Sequence, residues 1–450
     1  MRRSVKKKAA ALLTCIMLMI PSGCGSSEKD APMPGEGDLL GSFLEGVNND
    51  KAGGDTADKK TADADSREPE ESSSPQETES DEPDTGEEQS EGTWFGKLME
   101  VPTVTEEEPE EEIHTPLTEV EVGDDGIVRL GFAGDLNLSE GWETTEKLDS
   151  SPNGIEDCFD PELLSMMKDF DIFMLNNEFT YSTRGEKSEK TYTFRANPER
   201  VENLHKIGVD IVLTANNHIN DYGPDALSDT LDTLDAAGIP HVGAGRNLDE
   251  AKEIVYFNVG DYKLAYVAAS CAEEFENTIW TTPATSDTPG ILACYDDKDI
   301  LEVIKKARET SDYVIVNVHW GYEYLDWYTP QHQELAYKMF DAGADAVIGG
   351  HPHVLQGIQM VEGKPIFYSL GNFWFNDEDL YSGMAELDLK VPDAPGGKIE
   401  LLETKFIPCT QYKVYTALPE NAEEKQEIID HVAGISTDVW LDEDGVVHQY

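Results

Sequence analysis

The chain has 450 residues, more than one ordinary domain requires, and sets 34 Lys and Arg against 91 Asp and Glu for a formal charge of −57. That balance argues against nucleic acid as a partner, because phosphate binding needs clustered cationic side chains to displace counterions. It also disfavours any substrate held by a broad basic surface.

Residues 1–24 open with the basic stretch MRRSVKKK, run through apolar residues from Ala9 to Ile20 and pass into PSGCGSS, the pattern of an export signal. A helix needs about 20 residues to cross a bilayer, so this run is too short to be a span. Cys24, after Ser22 and Gly23, resembles the lipobox cysteine of bacterial lipoproteins, with Pro21 where an aliphatic residue is usual. The resemblance implies an extracytoplasmic protein anchored to the cell membrane through lipidated Cys24. Residues 25–125 hold few large apolar side chains and long acidic and Ser/Pro/Thr stretches, a composition that cannot bury enough surface to offset ordering. They read as a solvated, self-repelling tether.

From 126 to 450 a short apolar run repeatedly ends in small or polar residues and gives way to a helical pattern. Ile127–Ala133 leads into Gly134-Asp135, Ile172–Leu175 into Asn176-Asn177-Glu178, and Val209–Leu213 into TANNHIND. Leu264–Ala269, Tyr313–Val318, Ala346–Ile348 and Ile366–Leu370 repeat the grammar, the last three leading into His319, GGHPH and Gly371-Asn372. Asp160-Pro161 and Asn197-Pro198 supply N-cap and first-turn signals, while Gly208, Gly238 and Gly343 supply stops. Strands alternating with helices at this spacing predict an α/β fold around a buried sheet. Four cysteines lie here, Cys158, Cys271, Cys294 and Cys409, with no CxxC spacing. A Cys271–Cys294 disulfide and buried free thiols are both compatible with that pattern.

Asp135, Glu178, Asn217 with His218, His319, and His351 with His353 fall at five separate strand ends. In open α/β sheets ligands sit outside the carboxyl ends of strands, so these groups are expected to converge. Carboxylate, amide and imidazole donors suit Zn, Mn or Fe rather than an all-oxygen calcium cage. Singly, each is ordinary: an Asp at a strand end is commonly a cap, and a lone His commonly a satisfied core residue. Their joint occurrence, each after an apolar run, carries the prediction. In GGHPH the two glycines are expected to make the sharp turn.

The blocks GFAGDLNL, NNEFT, TFRANP, TANNHINDYG, HWGYEY, GGHPHVLQG and YSLGNFWF, in that order over residues 127–376, resemble the CapA family of capsule and poly-γ-glutamate synthesis proteins, a branch of the calcineurin-like metallophosphoesterases. The resemblance implies a four-layer α/β/β/α sandwich holding one or two divalent metal ions. It places Asp135 and His353 on a first metal, Asn217, His319 and His351 on a second, and Glu178 between them. His218 takes the place of a leaving-group proton donor. Asn137 stands where that superfamily has a His ligand, and Glu178 is one methylene longer than the usual Asp.

Asp221 is placed either to orient His218 or to cap the helix entered through Gly223-Pro224. Arg195 suits a bidentate anion or an ion pair with a neighbouring acid. Glu323 fits a substrate amine or a hydrogen bond to its own loop, and Asn372 fits closing the site or a turn. Trp320, Tyr322 and Tyr324 are candidates for the cleft wall or for packing. Two functional readings follow. One is a cell-surface, metal-dependent hydrolase or transferase acting on a phosphoester or an anionic polymer; the other is a non-catalytic component of polymer export or anchoring that works with membrane synthesis proteins.

Overall fold

The computed structural model describes residues 118–450 apart from 273, 276, 277 and 280, with the backbone alone for 274, 275, 278 and 279. The export signal, Cys24 and residues 25–117 of the acidic tether lie outside the described residues. Thr118–Val120 already pairs in parallel with Val255–Val259, a few residues before the expected start of the folded region at 126.

Six strands organise the site: β1 (Ile127–Leu136), β2 (Ile172–Asn177), β3 (Ile211–Leu213), β4 (Tyr262–Ser270), β5 (Tyr313–His319) and β6 (Ala346–Gly350). The parallel set β1, β2 and β3 centres an eight-stranded sheet, flanked by the antiparallel strands Leu380–Lys390 and Glu400–Gln411 on one side and His241–Val242 on the other. The parallel set β4, β5 and β6 centres a seven-stranded sheet.

Side-chain alternation sorts the core into layers. Leu264, Tyr266 and Ala268 of β4 and Ile315 of β5 meet Leu130, Phe132, Ile172 and Met174 of the other sheet in one cluster. Their neighbours Val267, Val314, Val316 and Val318 point the other way, under Ile300, Val303 and Ile304 of the helix α3 (Lys298–Thr310) and Leu335 and Met339 of α4 (Pro330–Ala342). Phe173 and Leu175 pack outward beneath Leu163 and Met167 of α1 (Pro161–Asp169) and Leu234 of α2 (Pro224–Ala237). Two sheets face to face with helices outside each make the expected α/β/β/α sandwich. Burial on both faces explains why the central strands read as unbroken apolar runs.

Local signals act as their chemistry dictates. Asp160 accepts from the amides of Glu162 and Leu163 and caps α1, and Gly238 closes α2 at φ 70°. Asn197 does not cap by its side chain; only a 3-10 turn and a five-residue helix, Glu202–Lys206, follow it. All four described cysteines are thiols, so no disulfide joins Cys271 to Cys294.

At the amino ends of the parallel strands one device recurs. The aspartate just before each of β2, β3, β5 and β6 accepts from a backbone N–H of the strand beside it: Asp171 from Arg129 (2.7 Å), Asp210 from Phe173, Asp312 from Lys263 and Asp345 from Val314, the last three at 2.8 Å.

Candidate metal centre

The opposite ends of the same strands bring together the residues singled out by spacing. Asp135 lies near the end of β1, Glu178 just past β2, and Asn217 and His218 in the loop after β3. His319 ends β5, while His351 and His353 follow β6. All are buried. Asp135, Glu178 and His353 offer ligand atoms within 4.8 Å of one another, and so do Glu178, His319 and His351, which makes Glu178 common to both groups. Glu178 Oε1 stands 3.6 Å from His319 Nε2, 3.9 Å from His353 Nε2 and 4.0 Å from His218 Nε2. Asn217 Oδ1 joins the second group, 2.8 Å from His319 Nε2.

Close approach of backbone segments builds this cluster. Gly134 admits the Gly371 carbonyl, which accepts from the Asp135 amide at 3.0 Å; a Cβ there would stand 1.8 Å from that oxygen. At Gly350 a Cβ would lie 3.2 Å from Asp135 Oδ1, so the second glycine of GGHPH keeps the cradle open. The turn itself belongs to the histidines: His351 has φ 98° and His353 φ 59°, whereas Gly349 and Gly350 stay in strand β6. The expectation that the glycines make the turn is thereby corrected. Their role is to admit Asp135 and the Tyr368 carbonyl, and positive φ at the histidines is backbone strain held at the site.

The amides hold the ligands in place. Asn176 Nδ2 reaches Asp135 Oδ1 (2.8 Å), Glu178 Oε2 (3.0 Å) and His319 Nδ1 (3.2 Å), and is itself oriented by Asn216, whose Nδ2 donates to Asn176 Oδ1 at 2.9 Å. Asn372 Oδ1 lies 2.8 Å from His353 Nδ1, so this residue positions a candidate ligand.

A divalent cation fits this donor set. Asn217 Oδ1, His351 Nδ1 (3.2 Å) and Glu178 Oε1 all gather around His319 Nε2, nitrogen and oxygen atoms of the kinds that ligate such ions. The separations are near the roughly 3.3 Å edge of a tetrahedron built on metal–ligand bonds of about 2.0 Å. Protonation states agree: burial pushes His319 down to about 3 and holds His351 well below its ordinary value, leaving neutral imidazoles, the form that binds metals. At His353 burial also opposes charge, but the hydrogen bond and charge of Asp135 prevail and hold it up to about 9. Asp135 is lowered, its burial outweighed chiefly by His353. Asn137, which the resemblance sets at a His-ligand position, turns its Oδ1 to the Ser139 amide (2.9 Å) and its Nδ2 toward the Phe375 carbonyl (3.5 Å).

His218 Nδ1 lies 2.7 Å from Asp221 Oδ2, which leaves Nε2 facing Glu178. Asp221 also takes the Phe194 amide (2.8 Å) and Lys190 Nζ (3.0 Å), while α2 is entered through Gly223 with no side-chain cap. Of its two readings the structure places Asp221 on His218. Burial, ahead of the attraction of Asp221, lowers the His218 pKa.

The remaining expected residues separate. Arg195 makes no ion pair among the described residues; its guanidinium lies over the Tyr222 ring at 4.0 Å and donates to the Arg184 carbonyl at 3.3 Å. Glu323 is exposed, and its charge reaches His353. Tyr324, half exposed with its ring 6.0 Å from His353, walls the site, whereas Trp320 is buried under α4 and donates to the Tyr368 carbonyl. Lys190 and Asn176 escaped notice in the sequence. Lys190 sits three residues before the block TFRANP, and Asn176 is masked by its neighbour Asn177 in a motif whose chemistry points to its glutamate.

Residues 129–377 match the sequence family described as bacterial capsule synthesis protein PGA_cap. The chain is 37% identical over 195 residues to the capsule biosynthesis protein CapA of Bacillus anthracis, covering 42% of this chain and 46% of that protein. It is 32% identical over 256 residues to the PGA biosynthesis protein CapA of Bacillus subtilis, covering 56% of this chain and 64% of the relative. A probable polyglutamine synthesis accessory protein of Mycobacterium tuberculosis is 27% identical, covering 58% and 72%. The match spans less than two thirds of either Bacillus protein's length.

Proposed function

The chain belongs to the bacterial capsule synthesis protein PGA_cap family, and from that premise we propose that it is a metal-dependent hydrolase or transferase of capsule or poly-γ-glutamate synthesis, working outside the cell on an anionic polymer or phosphoester and anchored through lipidated Cys24. The observation that carries this reading is Glu178, whose carboxylate belongs to both ligand groups, Asp135–His353 and His319–His351. Asp135, Glu178 and His353 would hold one ion, and Glu178, Asn217, His319 and His351 a second, with Mn, Zn and Fe all compatible with these donors. A divalent ion there supplies Lewis-acid polarisation of the scissile group and acidifies water.

The chain's own residues perform the proton work. Kept neutral by burial and with Nδ1–H donated to Asp221, His218 presents Nε2 as a proton acceptor at the cluster. The proton it takes is then available to the leaving oxygen or nitrogen. Lys190, on the Asn217 carbonyl and on Asp221, fixes the loop that carries both a ligand and the acid–base residue.

The decisive measurement pairs metal content with turnover. His218→Ala is expected to retain its metal and lose about 100-fold or more in hydrolysis of a chromogenic phosphodiester or an oligo-γ-glutamate. Retained metal with no turnover in either protein would favour the second reading, a non-catalytic binding component of an export or anchoring complex. The observation on that side is Asn137, which leaves the first group one imidazole short of the superfamily's set.

A further inference from the structure

A pocket of about 390 Å³ lies beside the metal centre, lined by Glu140, Trp142, Lys187, Tyr192, Arg195 and Tyr222 together with two threonines. One aromatic ring separates it from the acid–base histidine: Phe194 stands 4.3 Å from the His218 ring and 4.9 Å from the Trp142 ring, while its neighbours Thr193 and Arg195 line the pocket.

Charge pairing distinguishes Arg195 from its kind. In a chain this acidic, Arg129, Arg184, Arg200, Arg246 and Arg308 each meet a carboxylate within 2.8 Å. Arg195 alone among the described arginines has none, and the Tyr222 ring covers one face of its guanidinium. Glu140, the one acid in the pocket lining, is already held by Arg200 through both carboxylate oxygens. An aromatic face orients a guanidinium without neutralising it, and among the described residues Nη1 alone is engaged, by the Arg184 carbonyl, which leaves the other donors for an anion.

We infer that this pocket is a carboxylate subsite, in which Arg195 and Lys187 hold the carboxylate of the acidic residue next to the scissile bond of a γ-glutamyl-type polymer. The inference rests on the metal-centre reading for what happens at that bond. A planar carboxylate matches the guanidinium fork, and Trp142 and Tyr192 give apolar surface to the methylenes of such a residue, surface that a bare phosphate does not use. Two cations concentrated here also explain how a polyanion approaches a chain that repels it elsewhere.

The test is calorimetric titration of the full chain with tetra-γ-glutamate, with the same tetramer carrying carboxamides in place of its α-carboxylates, and with inorganic phosphate. Arg195→Ala is expected to weaken the acidic tetramer about 10- to 100-fold and Lys187→Ala, at an exposed side chain, by less. The carboxamide form should bind the native chain as weakly as the acidic form binds Arg195→Ala. Equal affinity of native and Arg195→Ala protein for the acidic tetramer, with an unchanged circular dichroism spectrum, overturns the subsite. So does Arg195-dependent binding of phosphate without binding of the tetramer. Metal content, recorded on the same samples, separates the two claims: Arg195-dependent binding in protein that takes up no metal leaves the subsite standing and removes the metal centre.

Discussion

The two ends of the parallel strands use carboxylates for opposite purposes. At the amino ends Asp171, Asp210, Asp312 and Asp345 are exposed or half exposed, and each spends an oxygen on a backbone N–H of the neighbouring strand. At the carboxyl ends Asp135 and Glu178 are fully buried and face imidazoles and an amide instead. A partly exposed acid that ties two strands together, with Asp345 also paired to Arg308, needs no further account. Burying two acids among three imidazoles costs several kcal/mol per charge; at Asp135 the charged His353 outweighs that cost, and a divalent cation would take over the same task where it displaces the His353 proton. The contrast separates strand-binding acids from ligand-holding ones by what they touch.

The sharpest way to break this contrast is Glu178→Gln, which keeps the shape and deletes the charge common to both groups. Metal affinity, read by elemental analysis after equilibrium dialysis, is expected to fall by more than the roughly 100-fold that loss of a supporting residue can reach. Unchanged metal content would make this rim structural, like the other. Asn176→Ala comes next. It removes the donor that holds Asp135, Glu178 and His319 together, and about 10- to 100-fold in affinity is expected to go with it.

The contrast was half legible beforehand. An Asp after an apolar run and an Asp before one look alike as composition, but Asp135 follows its run and Asp171, Asp210, Asp312 and Asp345 precede theirs. Strand direction is the missing signal, and the alternation of strand and helix supplies it once the sheets are taken as parallel. The central strands were readable because burial on both faces leaves continuous apolar runs. Thr118–Val120 was not, since three alternating residues inside an acidic tract give no periodicity to detect. In HWGYEY the directions of Trp320 and Tyr324 are set by the turn at Gly321, φ 99°, and by Tyr324 itself at φ 60°, so composition could not tell the packing ring from the wall ring.

Acidity sharpens the comparison by one proton. In the metal-free protein His353 stays charged up to about 9, so a cation must displace its proton, and apparent affinity should rise about tenfold per pH unit from neutrality until about pH 9 and then level. Because the folded pKa lies above the ordinary histidine value of 6.5, the stability that this charge adds to the metal-free protein is complete below 6.5 and lost as pH rises through about 9. Denaturation followed across that range should show the loss without metal and not with it. A flat affinity profile would mean that His353 is no ligand.

The smallest effect tests the other rim. Asp312 is exposed, its Oδ2 accepts from the Lys263 amide, and its own amide donates to the Lys263 carbonyl at 2.8 Å, so it clasps β4 to β5 at the edge opposite His319. In Asp312→Ala the backbone half of the clasp survives and water replaces the carboxylate, so about 0.5–1.5 kcal/mol of stability should be lost, read as a lower urea midpoint with an unchanged slope. Metal affinity should not move, because β5 is anchored along its length by Val314, Val316 and Val318 under α3 and α4, and rigid packing confines a loosened strand start to its own end. Should affinity fall with stability, the strand would be transmitting the change to His319, and the division between strand-binding and ligand-holding acids would dissolve.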